Sequence, residues 1–118
     1  MTVATASSFY VEQVRNITIV CFTIDTLDEE NFETVAEELD SLIALRKPRR
    51  VVVDLVSLRF VDDLGLAVVQ SFHDGIEEYG GTAILCRLSP AVASAMNEVG
   101  LQRHLHIRNS RNEAVWTF

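Results

Sequence analysis

Lysine is almost missing from this chain: Lys47 is the only one among 118 residues, and arginine supplies the other nine of the ten Lys and Arg cations. Against those 10 cations stand 17 Asp and Glu, a formal net charge of -7. Such a surface repels phosphate backbones, which argues against direct nucleic-acid binding, so any role in transcription would run through another protein. Cysteine is scarce as well. Cys21 and Cys86 lie inside the apolar runs Ile19-Val20-Cys21-Phe22 and Ile84-Leu85-Cys86, with no C-x-x-C spacing, and read as buried core thiols rather than a redox pair. No apolar run approaches the ~18 residues of a membrane span. Met1 to Ser8 has neither the basic start nor the apolar centre of a signal peptide. The expectation is a cytoplasmic protein without membrane insertion.

Catalytic templates are absent too. There is no G-x-S-x-G, no G-x-x-x-x-G-K and no G-x-G-x-x-G after the early strands. Gly80-Gly81 ends a helix, where it caps and turns rather than cradling phosphate. The expectation is a non-enzymatic chain that needs no cofactor and no metal. His73, His104 and His106 are the metal candidates. His104 and His106, two apart on an expected strand, face one way, but without a matching Cys or Glu pair they read as a surface pair.

What is there is an ordinary globular composition, 48% apolar and 23% charged, enough for one domain over 1–118 with residues 1–8 as a flexible leader. Phe9 to Arg15 alternates as a strand, Asn16 turns, and Ile17 to Ile24 returns as its hairpin partner. Thr26-Leu27-Asp28-Glu29 matches a capping box, followed by Phe32, Val35, Ala36, Leu39, Leu42 and Ile43 at helical spacing until Pro48. Arg50 to Leu55 is a β-branched central strand. The helix after Asp63 buries Leu66, Val69, Phe72 and Ile76. Thr82 to Arg87 is a strand, and Ser89-Pro90 opens a helix with Val92, Ala95, Met96 and Val99 on its apolar stripe. Leu105 to Arg108 is a last short strand, and Arg111 to Phe118 a terminal helix or tail. Alternating βα units of this kind predict an α/β fold: a mixed, mostly parallel sheet with an N-terminal antiparallel hairpin and helices packed on it.

Chemistry concentrates in Phe60-Val61-Asp62-Asp63-Leu64-Gly65-Leu66, an acidic turn opening into a helix after the central strand. Helix N–H groups there lack internal partners, so carboxylates are favoured by capping and by the dipole. In open α/β sheets the carboxyl ends of the strands are also where ligands and partners bind. A phosphorylated-aspartate receiver has a similar length and an acidic pocket, but it uses a late basic residue, usually lysine. Lys47 precedes Pro48, at the wrong end of the central strand.

These segments resemble a STAS domain of the bacterial anti-sigma-factor antagonist family. Val51-Val52-Val53-Asp54-Leu55 is similar to the family's apolar strand ending in Asp-Leu, and the acidic turn is similar to its F-[apolar]-D-S-[ST]-G-L signature. Gly80-Gly81, Leu88-Ser89-Pro90-Ala91-Val92 and Val99-Gly100-Leu101 resemble its later segments in the same order. The resemblance implies partner switching: the antagonist binds an anti-sigma factor of the serine/threonine-kinase type, which phosphorylates the residue after the signature aspartate. That aspartate corresponds to Asp62 and the glycine to Gly65, while the phosphoacceptor position falls on Asp63 and the next hydroxyl position on Leu64. Asp63 has no hydroxyl, so it stands either as a permanent phosphoserine mimic or as a plain helix cap. The expected contact surface is Asp62, Asp63, Leu64, Gly65 and Leu66, with Asp25, Thr26 and Asp28 in the loop beside it, whose glycine is missing here. A STAS subunit of a larger assembly (a stress-signalling complex or an ABC-type lipid transporter) is the alternative within the fold, and a small acidic-site enzyme or nucleotide binder the alternative outside it. A homo-oligomer is compatible with either.

Overall fold

The computed structural model describes residues 8–118. Of the expected leader, residues 1–7 lie outside the described residues. Ser8 already belongs to the fold: it is buried, and its carbonyl accepts the Thr23 N–H at 2.9 Å.

The strands β1 (Phe9–Val14) and β2 (Ile17–Phe22) form the expected hairpin, turned at Arg15, which takes a φ of 57°. The remaining strands of the main sheet are β4 (Arg50–Asp54), β6 (Thr82–Cys86) and β7 (His106–Arg108). They pair in parallel to give the order β1-β2-β4-β6-β7, with the hairpin as the antiparallel edge. The β-branched run Val51-Val52-Val53 sits in its centre, fully buried, as residues covered on both sheet faces must be.

Four helices pack on this sheet among the described residues: α1 (Phe32–Arg46), α2 (Asp63–Glu78), α3 (Pro90–Glu98) and α4 (Arg111–Thr117). One sheet face meets the first three, where Val35, Leu39, Leu66, Val69, Phe72, Val92 and Met96 join Val51, Val53 and Leu85 in one cluster. On the other face Ile17, Ile19, Val52, Ile84 and Cys86 lie under Ala114 of α4. Val52 and Ile84 therefore belong to a second, smaller core, because residues adjacent along a strand point to opposite faces. Cys21 and Cys86 are both buried and free. Burial, with the Asp54 charge adding to it, pushes the Cys86 thiol up to about 12.

Several expectations are corrected. Thr26-Leu27 does not cap α1; it forms the short strand β3 (Thr26–Leu27), paired in parallel with β5 (Phe60–Val61). Asn31 is the N-cap residue of α1, and its side chain does not bond the helix. A tertiary backbone pairing has overridden a local capping motif. Val99 is 60% exposed because α3 ends at Glu98 and Val99 falls past the stripe. His104 follows a 3-10 turn (Leu101–Arg103) and lies outside β7, so it does not share a strand face with His106.

Candidate functional site

The acidic turn is built from the end of β4 outward. Asp54 is the last residue of β4 and has no exposed surface. Its carboxylate accepts from the Arg87 Nε at 3.0 and 3.1 Å, the Arg111 Nε at 2.9 Å and the Val56 N–H at 3.1 Å. Burial alone pushes this carboxyl up, but the hydrogen bonds from Arg87, Arg111 and the Val56 N–H outweigh it and hold it below the ordinary carboxylate value. The chain then turns at Leu55–Leu58, and the Arg59 and Phe60 N–H groups both donate to the Asp25 carbonyl, at 2.8 and 3.1 Å. That clamp aligns β5 on β3 and delivers Asp62 to the start of α2.

Asp62 works in two directions. One carboxylate oxygen accepts the Gly65 N–H at 2.9 Å and caps α2; the other accepts the Glu29 N–H at 3.0 Å and ties the neighbouring loop to the helix. The loop is braced from within: Asn31 Oδ1 accepts the Asp28 N–H at 2.9 Å, Asn31 Nδ2 donates to the Thr26 carbonyl at 2.8 Å, and Asp28 Oδ1 accepts the Glu30 N–H at 2.9 Å. Gly65 is buried, and a Cβ on it would lie 2.2 Å from the Leu27 carbonyl oxygen and 2.6 Å from Val61 Cγ2. Only glycine lets α2 start this close to β3.

The sequence-derived residues thus come together, in two groups. Asp25 and Asp63 are exposed, Leu64 is 41% exposed, and Thr26, Asp28 and Asp62 are half-buried. Gly65 and Leu66 are buried; they hold the turn and offer little to a partner. Asp63 opens α2, and among the described residues its carboxylate receives no hydrogen bond. The expected contact surface left out Asn31, Glu29 and the exposed Phe60, which is 53% accessible. Asn31, in the loop that follows the short strand β3, bonds residues three and five positions before it. Leu64 also lines a groove of about 180 Å³ between α1 and α2, together with Phe32, Ala36, Ala67 and Val68. A larger concavity, about 680 Å³, opens beside Arg46, Lys47, Arg49 and Arg50. It lies where β4 begins, the opposite end of the parallel strands from the acidic turn.

Among the described residues, His73, Glu77 and His106 form one group able to hold a metal. No helix among them is long and apolar enough to cross a membrane.

An open, mostly parallel sheet with a preorganised acidic helix start at its carboxyl edge defines an α/β domain whose exposed turn is held rigid from behind. The family model of the STAS domain matches residues 8–114, and the chain belongs to that family. It is 27% identical over 105 residues to an anti-sigma F factor antagonist of Paenibacillus polymyxa, covering 89% of each chain. An anti-sigma factor antagonist from Mycobacterium paratuberculosis has the same fold, with a TM-score of 0.82 at 17% identity, covering 98% of this chain and 97% of that one. The Bacillus cell fate determinant SpoIIAA in its phosphorylated form superposes with a TM-score of 0.66 at 20% identity, covering 91% and 96%.

Proposed function

We propose that this STAS domain acts by binding a protein partner of the anti-sigma-factor class, and that its docking surface is the start of α2 together with the Asp25–Asn31 loop. The observation that carries this is Asp62 holding helix and loop as one unit while Asp63 and Leu64 stand outward on it. Phe60 and Leu64 supply an apolar centre, and Asp25, Glu29 and Asp63 a negative rim. Binding surfaces combine those two features, and a partner with a basic rim is selected by them. The relative from Paenibacillus polymyxa, itself an anti-sigma F factor antagonist by name, supports the class of partner.

In this reading the protein is a regulator rather than an enzyme and controls sigma-factor-dependent transcription through its partner. Asp63 replaces the phosphoacceptor serine, so a serine/threonine kinase cannot toggle it there. The test is isothermal titration of the purified chain against the kinase-type anti-sigma factors of the same organism. Micromolar or tighter binding to one of them, weakened at least tenfold by Leu64→Asp, supports the reading. If none binds, and the chain instead co-purifies with a transporter ATPase or a large signalling complex, the exposed Leu64 belongs to an assembly-subunit surface.

A further inference from the structure

About ten residues along α2 from the acidic turn, roughly 15 Å at the helical rise, a second polar cluster joins this helix to the edge strand. His73 and Glu77 lie one helical turn apart on α2, and His106 begins β7. Glu77 Oε2 is 3.4 Å from His73 Nε2 and 3.5 Å from His106 Nε2, and the three ligand-type atoms all lie within 4.8 Å of one another. These separations are too long for good hydrogen bonds, whose N···O distances run about 2.7–3.2 Å. They match the edge of a tetrahedron around Zn²⁺, about 3.4 Å for metal–ligand bonds near 2.0–2.1 Å.

The buried member of the group points to a ligand independently. His73 is 4% exposed, and its Nε2 is buried with no hydrogen-bond partner. Its other nitrogen, Nδ1, lies 3.0 Å from Asp74 Oδ1. An ionised carboxylate only accepts, so Nδ1–H donates to Asp74, and Nε2 is the ring atom that faces the cluster, 3.4 Å from Glu77 Oε2. A carboxylate on the far nitrogen of a histidine is the arrangement that orients metal-binding imidazoles and raises their basicity. A buried polar atom left without a hydrogen-bond partner is costly, and coordination to a bound cation would satisfy Nε2.

We propose that His73 Nε2, Glu77 Oε2 and His106 Nε2 form a binding site for a divalent transition ion of the Zn²⁺ class, bridging α2 to β7. Two imidazoles and a carboxylate suit Zn²⁺ and Co²⁺ and disfavour Mg²⁺ and Ca²⁺, which take oxygen ligands. The Glu77 and His106 side chains are 38% and 52% exposed, so solvent has access to a fourth coordination position. The site is separate from the proposed docking surface and does not depend on it.

The test is titration of the untagged chain with Co²⁺, followed by absorption spectroscopy, and with Zn²⁺ by calorimetry. The expected result is one ion per chain, with the intense visible bands of four-coordinate Co²⁺, displaced by Zn²⁺. His106→Ala and Glu77→Gln, both at exposed positions, should each weaken binding at least tenfold. His104→Ala should leave it unchanged. Binding that survives both His106→Ala and Glu77→Gln, a weak six-coordinate spectrum, or no saturable binding by the parent chain overturns the proposal.

Discussion

Gly65 and Leu27 approach so closely that a methyl group on the glycine would sit 2.2 Å from the Leu27 carbonyl oxygen. The obstacle is backbone, in a strand paired with β5, and it cannot rotate away as a side-chain tip would. Gly65→Ala must therefore push α2 off β3, and overpacking of this kind typically costs ~1–3 kcal/mol, sometimes more. We expect the upper end, about 3 kcal/mol, read as a drop in the urea midpoint. A variant as stable as the parent would show that the helix start can shift freely, contrary to a rigid turn.

Asp62 is expected to matter more for stability than its exposed neighbour. Asp62→Ala removes the Gly65 cap and the link to Glu29 together. A lost cap costs ~0.5–2 kcal/mol, so about 2 kcal/mol is expected with the second bond included. Asn31→Ala should cost about 1–2 kcal/mol by leaving the Thr26 carbonyl and the Asp28 N–H without their partner. Equilibrium unfolding of both variants checks this, and hydrogen exchange at Glu29 should quicken in each.

Asp63 is expected to govern binding rather than folding. An aspartate at a helix start contributes ~0.3–1 kcal/mol through the dipole, so Asp63→Ser should shift stability by less than about 1 kcal/mol. Aspartate carries one negative charge where phosphoserine carries about -1.5 to -2. If Asp63 mimics the phosphorylated state, Asp63→Ser should tighten binding to a kinase-type anti-sigma factor tenfold or more, about 1.4 kcal/mol. Titration calorimetry reads this directly, and binding no better than the parent's would make Asp63 part of a surface suited to another partner.

The parent chain, incubated with that kinase and ATP, should keep its unmodified intact mass, whereas Asp63→Ser should gain one phosphate. Phosphate on Ser57, Thr26 or Ser71 of the parent would show instead that control has moved to a neighbouring hydroxyl.

Acid should loosen the fold through Asp54. Its folded carboxyl is held below the unfolded value, so the unfolded chain binds more protons between the two. The stabilisation is complete above the unfolded value of ~3.9 and is lost as pH falls through the folded one. Asp54→Asn removes that acid dependence and lowers stability at neutral pH, because it leaves Arg87 and Arg111 without their counter-charge. Breaking a buried pair costs about 3–5 kcal/mol. The arginine side chains are 39% and 29% exposed and rehydrate, so about 2–4 kcal/mol is expected. Urea titrations between pH 3 and 7, a window set by that carboxyl value, separate the parent from Asp54→Asn.

Local pattern was enough for most of the scaffold. The β-branched run Val51-Val52-Val53, the period of Leu66, Val69, Phe72 and Ile76, and Ser89-Pro90 each specify an element through its own backbone and side-chain preferences. The acidic turn was legible for the same reason, since Asp62 caps residues three positions away. Interactions between distant residues were not legible. Thr26-Leu27 carries a capping pattern, yet Phe60-Val61, over thirty positions along, claims its backbone as a strand partner. Asp54 meets Arg111 across 57 positions, and His73 meets His106 through Glu77 only because β7 closes the sheet beside α2. Composition and periodicity act over one turn or one strand, and so they determined the five strands of the main sheet, the helices and the acidic turn, but not the short β3–β5 pair. Which polar groups meet depends on where the sheet brings its edges, and that was decided by the burial of the two apolar faces in three dimensions.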